Sequence, residues 1–184
     1  MKLYYNSTDG RVLHTLSGTT TPPGDWIEVP DQDLGDLADW RVIEGQLVRA
    51  VDLATAQDRA RHEVNRARGA VRLLFITDLP GQEMVYLDKE RQAVTYLADA
   101  DPDLADYPGI MAEIGSTATN AHEVAQVYLN QAHLWRQISA LIEGLAMTAH
   151  AAIDAASTAE ECESIAAGIQ AALLAALDGS GARS

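Results

Sequence analysis

From Val124 to Ala152 the side chains fall on a single helical stripe. Val124, Tyr128, Gln131, Trp135, Ile138, Ile142, Leu145, Ala149 and Ala152 alternate four and three positions apart. That spacing returns a side chain to the same side of an α-helix at each turn and has no meaning on a strand. A chain bearing such a run must give this helix neighbours. Val127, Leu134 and Leu141 broaden the stripe, so more than one neighbouring helix is expected. Eighteen of residues 118–178 are alanine, which lets helix axes approach closely. Thr119 or Asn120 can cap the start. The seam suits antiparallel helices of the same chain and also a parallel homo-oligomer, a trimer among the options, and periodicity leaves both open.

Two further helices precede it. Leu53, Ala56, Ala60, Val64, Ala67, Val71 and Leu74 share the 3/4 spacing, predicting an amphipathic helix from Asp52 to about Thr77. Leu79-Pro80-Gly81 interrupts it, and a second stretch runs from Gln82 to about Ala98, with Met84, Leu87, Val94 and Leu97 apolar. These two either fold back as a hairpin or stand as one kinked rod. Pro102 and Pro108 mark residues 99–109 as a loop. Ser157-Thr158-Ala159-Glu160 matches a capping box, so a last helix begins near Thr158 and ends by Gly179, leaving 179–184 as a loose tail.

The first fifty residues have another rhythm. Leu3-Tyr4-Tyr5, a turn ending in Asp9-Gly10, and Arg11 to Leu16 read as a hairpin; a breaker segment, Ser17 to Gly24, leads to a strand at Trp26-Ile27-Glu28-Val29, stopped by Pro30. Trp40 to Ile43 and Gln46 to Val48 flank Glu44-Gly45 as a second hairpin. The expected class is therefore α+β: a small antiparallel β domain over residues 1–51 and an antiparallel helical bundle over 52–178.

Composition narrows the function classes. Hydrophobic residues make up 47% of the 184 and charged residues 22%, too apolar for disorder, and no unbroken run reads as a membrane span. No signal peptide is visible at Met1 to Ser7, which places synthesis in the cytoplasm. Cys162 stands alone, without a partner for a disulfide or a cysteine cluster, and beside Glu161 and Glu163 its thiolate gains no stabilisation. The net charge of -14 opposes phosphate backbones and anionic bilayers. His62-Glu63 and His122-Glu123 open a zinc-protease-like string, but Arg66 and Gln126 occupy the second-histidine positions. With no phosphate loop, serine elbow or paired carboxylates, the reading is a non-enzyme without metal or cofactor.

Charge and aromatic placement supply the remaining candidates. Arg59, Arg61, Arg66, Arg68 and Arg72 crowd one helix, whereas residues 93–184 carry twelve acids against Arg136 and Arg183. The basic face is expected to pack beside the acidic helices, in the same chain or a neighbouring copy. Tyr4, Tyr5, Trp26, Ile27 and Trp40 concentrate aromatic and aliphatic area in the β domain. Most should be core, with a share available as a partner surface.

Three strings resemble phage tail-region proteins of the tail-fibre assembly type. They are Trp40-Arg41-Val42-Ile43-Glu44-Gly45-Gln46-Leu47-Val48, the stretch from Pro80-Gly81-Gln82 through Tyr86 and Lys89 to Ala93 with Tyr96-Leu97 following, and Ala151-Ala152-Ile153 to Glu160-Glu161. The resemblance implies a non-enzymatic partner of a tail fibre, either an assembly chaperone in the host cytoplasm or a fibre-associated virion component. It transfers no active-site residue. The alternative is an acidic intracellular inhibitor or regulator that binds a basic host protein, although a clustered arginine face fits such a mimic poorly.

Overall fold

The computed structural model describes residues 1–18 and 23–179. It is an α+β protein, with small antiparallel sheets at the N-terminus followed by long helices. Strands β1 (Lys2–Tyr5), β2 (Val12–Leu16) and β3 (Trp26–Glu28) form an antiparallel sheet in the order β2-β1-β3, and β4 (Trp40–Ile43) pairs with β5 (Gln46–Arg49) as a hairpin. Both expected hairpins are therefore present. The second is fastened to the first where the Val42 amide donates to the Gly10 carbonyl at 2.7 Å. Gly10 is required there, because its φ is +70° and a Cβ would lie 2.4 Å from the Val42 oxygen. Leu3, Val12, Val29 and Val42 form the small core of this unit.

Among the described residues five α-helices follow: α1 (Leu53–Arg72), α2 (Gln82–Ala98), α3 (Pro108–Glu113), α4 (Ala121–Ala155) and α5 (Ala159–Gly179). Helix α1 buries Ala56, Ala60, Val64, Ala67 and Val71 as its spacing predicts, but ends five residues before Thr77, and Leu53 and Leu74 at the ends of its stripe are exposed. The predicted loop at 99–109 holds a 3-10 turn at Leu104–Asp106 and the start of α3, where Pro108 supplies a φ suited to a first helical turn. Asn120 caps α4, its side chain accepting from the Glu123 amide. The last capping box is displaced by one residue from the expected Ser157/Glu160 pair: Thr158 Oγ1 accepts from the Glu161 amide, and the Glu161 carboxylate accepts from the Ser157 and Thr158 amides. Gly179 closes α5, and the rest of the expected tail lies outside the described residues.

Helix α4 organises the helical part. Its 35 residues span roughly 52 Å at 1.5 Å per residue, and two separate cores form along it. Toward its C-terminus Ile138, Ile142, Ala146, Ala149 and Ile153 pack with α1 and with Cys162, Ile169, Leu173 and Leu177 of α5. Toward its N-terminus Ala121, Val124, Ala125 and Tyr128 pack with Ala93, Tyr107 and Ile110 from α2 and α3. Arg61 pairs with Asp154, Arg72 with Glu143 and Glu90 with Arg136. As the chain ascends through α1 and α2 its partners thus descend along α4, so the two helices lie end to end and antiparallel to α4. The Pro80-Gly81 corner joins them as a kinked rod, with Gly81 at φ +82°.

Candidate partner-binding surface

The buried stripe of α4 departs from the strict seam in an instructive way. Val124, Tyr128, Ile138 and Ile142 are buried as expected and Leu145 is half-buried, but beyond Ile142 the fully buried positions are Ala146 and Ile153 rather than Leu145 and Ala152. A straight helix turns every 3.6 residues, so a 3.5-residue repeat drifts by about 20° per heptad. Both ends of the seam pack against helices of the same chain.

Between the two cores the seam is only partly covered. Trp135 is half-buried and Gln131 exposed, because α1 has ended and α2 has just begun beside this stretch. The outcome is a groove of about 840 Å³ between the α1–α2 connector, the first turns of α2 and the middle of α4. Phe75, Tyr128, Trp135 and Ile138 supply its aromatic and aliphatic lining, and Leu79, Tyr86, Leu87 and Leu134 form exposed edges. The Thr77 amide donates to the Tyr86 hydroxyl at 3.3 Å, tying the connector to α2. Leu87 at the groove edge is 69% exposed, and outside the groove Met84 is 75% exposed and Val85 and Val94 are open as well. Helix α2 therefore carries apolar area that its own chain does not cover, a feature that monomeric proteins rarely present in a large contiguous patch.

A polar network fixes one end of this surface. Lys89 Nζ lies 2.5 Å from Glu113 and 4.8 Å from the Tyr128 ring centroid. Burial pushes the Glu113 carboxyl up, but hydrogen bonds from Lys89 and Thr117 and the Lys89 charge outweigh it and hold the group below its ordinary range. Burial, and then the neighbouring Glu113 carboxylate, push the Tyr128 hydroxyl up; that hydroxyl also donates to the Gly109 carbonyl at 3.1 Å. Buried Gln92 accepts from the Gly109 amide at 2.9 Å. The network docks α3 on α2 and α4 and makes that wall of the surface rigid.

The predicted aromatic surface is largely interior. Tyr4 is 3% exposed and stacks on His14 at 4.7 Å, so it is not available to a partner. Trp40, Tyr5 and Ile27 pack against the small sheet core, and the Trp40 indole donates to the Leu34 carbonyl at 2.8 Å. Trp26 alone of the five is open, at 38%, with Lys2 over its ring. The sheet is only three strands wide, and its few large side chains are needed to close its core.

The arginines of α1 are spent on the fold. Arg59 donates to both oxygens of buried Asp39 at 2.7 Å and to Asp36. Arg61 reaches Asp154, Arg68 and Arg72 share Glu143, and Arg66 pairs with Glu63 on its own helix. Arg49 of β5 pairs with Glu163 of α5, and the hydrogen bond from Arg49 holds that carboxyl below its ordinary range. The β unit is thus attached to the bundle through ion pairs, and α1 is paired with acids of α4.

Among the described residues no three histidine, cysteine, aspartate or glutamate side chains converge to hold a metal. Cys162 is buried in the α1/α4/α5 core. By length and composition α4 and α5 are each apolar enough to cross a membrane, with a mean hydropathy of 1.2, contrary to the expectation that no segment reads so. The uncovered surface on α2 escaped the sequence reading, although a signal existed: Met84-Val85-Tyr86-Leu87 is a run of four, and four consecutive side chains wrap a helix and cannot all face one neighbour. Comparison of the chain with protein-family models, curated proteins and solved structures found no match.

Proposed function

We propose that this chain is a non-enzymatic phage tail-region protein that binds a tail fibre, as an assembly chaperone or a fibre-associated tail component. The observation that carries the reading is the uncovered apolar surface formed by α2, the connector before it and the middle of α4. A trimeric fibre exposes strand edges and apolar area while it folds, and a small acidic partner with such a surface can shield them. The string from Pro80 to Ala93, part of the resemblance to tail-fibre assembly proteins, is the segment that forms one wall of this surface. The interface therefore moves from the aromatic sheet to the helical part.

The test is the absolute mass, by light scattering on a sizing column, of the chain alone and co-expressed with the fibre protein encoded beside it. A complex of fixed ratio is the expected result, and two species that elute independently would refute the assignment. A chaperone leaves the mature virion, whereas a component remains at a copy number set by tail symmetry. One observation favours the second reading, an acidic inhibitor of a basic host protein: the arginines of α1 are ion-paired within the chain, which removes the objection that they would spoil an acidic face. Capture of a basic host protein at low salt, with no fibre complex, would decide for it.

A further inference from the structure

We propose that the groove between the α1–α2 connector and α4 receives an amphipathic helical segment of the partner, apolar on one face and flanked by lysine or arginine. This rests on the partner-binding reading above and names the chemistry of what is bound. The shape comes first. Two helices laid end to end against a continuous third leave a gap where they meet, and along that gap α4 keeps its stripe without a helix over it. The partly covered stretch lies between buried Tyr128 and buried Ile138, which are roughly 15 Å apart along the helix axis, the length of nearly three turns. A helix presenting apolar side chains at i, i+3, i+4 and i+7 matches that length and sets its anchors between Leu87 on one edge and Leu134 on the other.

Charge then selects the partner. Lys89 and Arg136 line the groove, but Glu113 and Glu90 neutralise them. Asp78 and Glu83 also line it, and among the described residues neither is ion-paired. The uncompensated charge at the mouth is therefore negative, within a molecule of net charge -14. Basic flanks on the incoming helix would be steered to it and held there. A second copy of this chain is a poor occupant, because it brings the same negative field, and the arginines of α1 are already engaged with acids of their own chain.

The probe is a fluorescein-labelled peptide of about fourteen residues, with leucines at the i, i+3, i+4, i+7 spacing and lysines elsewhere. It is titrated with the full chain and followed by anisotropy. Binding at one peptide per chain is expected. It should weaken at least about tenfold for a scrambled peptide of the same composition and for one with glutamate in place of lysine. Leu134→Gln and Leu87→Gln, at exposed edges where folding is not at stake, should each weaken it about tenfold, and Glu83→Lys about threefold. Met147→Gln, exposed on α4 away from the groove, should change nothing. Equal binding of the scrambled peptide, indifference to the groove variants, or a dimer of the chain that Leu134→Gln dissociates would each overturn the proposal. If the peptide binds as described and the fibre protein does not, the fibre assignment fails and the groove assignment holds. If the fibre binds and Leu134→Gln leaves that complex intact, the groove assignment fails alone.

Discussion

Asp39 shows how much rests on single side chains. Its carboxylate is buried, and Arg59 covers both oxygens. Arg59→Ala would leave it with Arg49 at 3.8 Å, an expected loss of roughly 1–3 kcal/mol in urea unfolding. Trp40→Ala should cost about 2–3 kcal/mol, since it removes a half-buried ring and its bond to Leu34, whereas Trp26→Ala should fall within about 1 kcal/mol. A substantial loss at Trp26 with none at Trp40 would contradict these placements. Glu161, held low by the Ser157 amide and hydroxyl, and Glu123, held low by the Thr119 hydroxyl and amide, make acid the destabilising direction. With folded values below the ordinary 4.5, their contribution is complete above that pH and disappears as pH falls through the folded value. The melting temperature should therefore hold down to about pH 5 and fall below 4.5, less steeply in Glu161→Gln.

At the level of elements, corners and caps decide the layout. Gly10→Ala would press a Cβ into the Val42 carbonyl and should cost more than about 2 kcal/mol by separating the two hairpins. Thr158→Ala removes the acceptor for the Glu161 amide and should lower stability by about 1 kcal/mol, whereas Ser157→Ala should cost less. The helices and hairpins were legible because their signals are local: period, turn residues, caps and the proline-glycine corner all act within a few positions. Whether α1 and α2 would fold back or run on was not, since that depends on how far α4 extends beside them. The drift of the buried stripe from Leu145 to Ala146 was hidden for a related reason, as it follows from the true helical pitch and from which neighbour lies alongside. The burial of the sheet aromatics was not legible, because aromatic content says what a residue can bury and not where the chain leaves it. Tyr4 and Trp40 were consumed by a core too small to close without them, and Leu87 was left outside because α2 is apolar around more of its girth than one neighbour can cover.

At the scale of the molecule, the three apolar clusters among the described residues are joined by two kinds of link. The two helical cores share α4, while the β unit is held by Arg59–Asp39 and Arg49–Glu163. Ion pairs weaken in salt and hydrophobic cores do not. In Arg59→Ala with Trp135→Phe, which leaves Trp26 and Trp40 of the β unit as the tryptophans, fluorescence at high salt should therefore change at lower urea than helical circular dichroism. Coincident curves would mean that the sheet and the bundle unfold as one. The lone thiol provides an independent clock. Cys162 is sealed where α1, α4 and α5 meet, and no other sulfhydryl in the chain competes for reagent. The rate at which an aromatic disulfide labels it under native conditions reads how often that one junction breathes open, in an unaltered protein and without any engineered reporter.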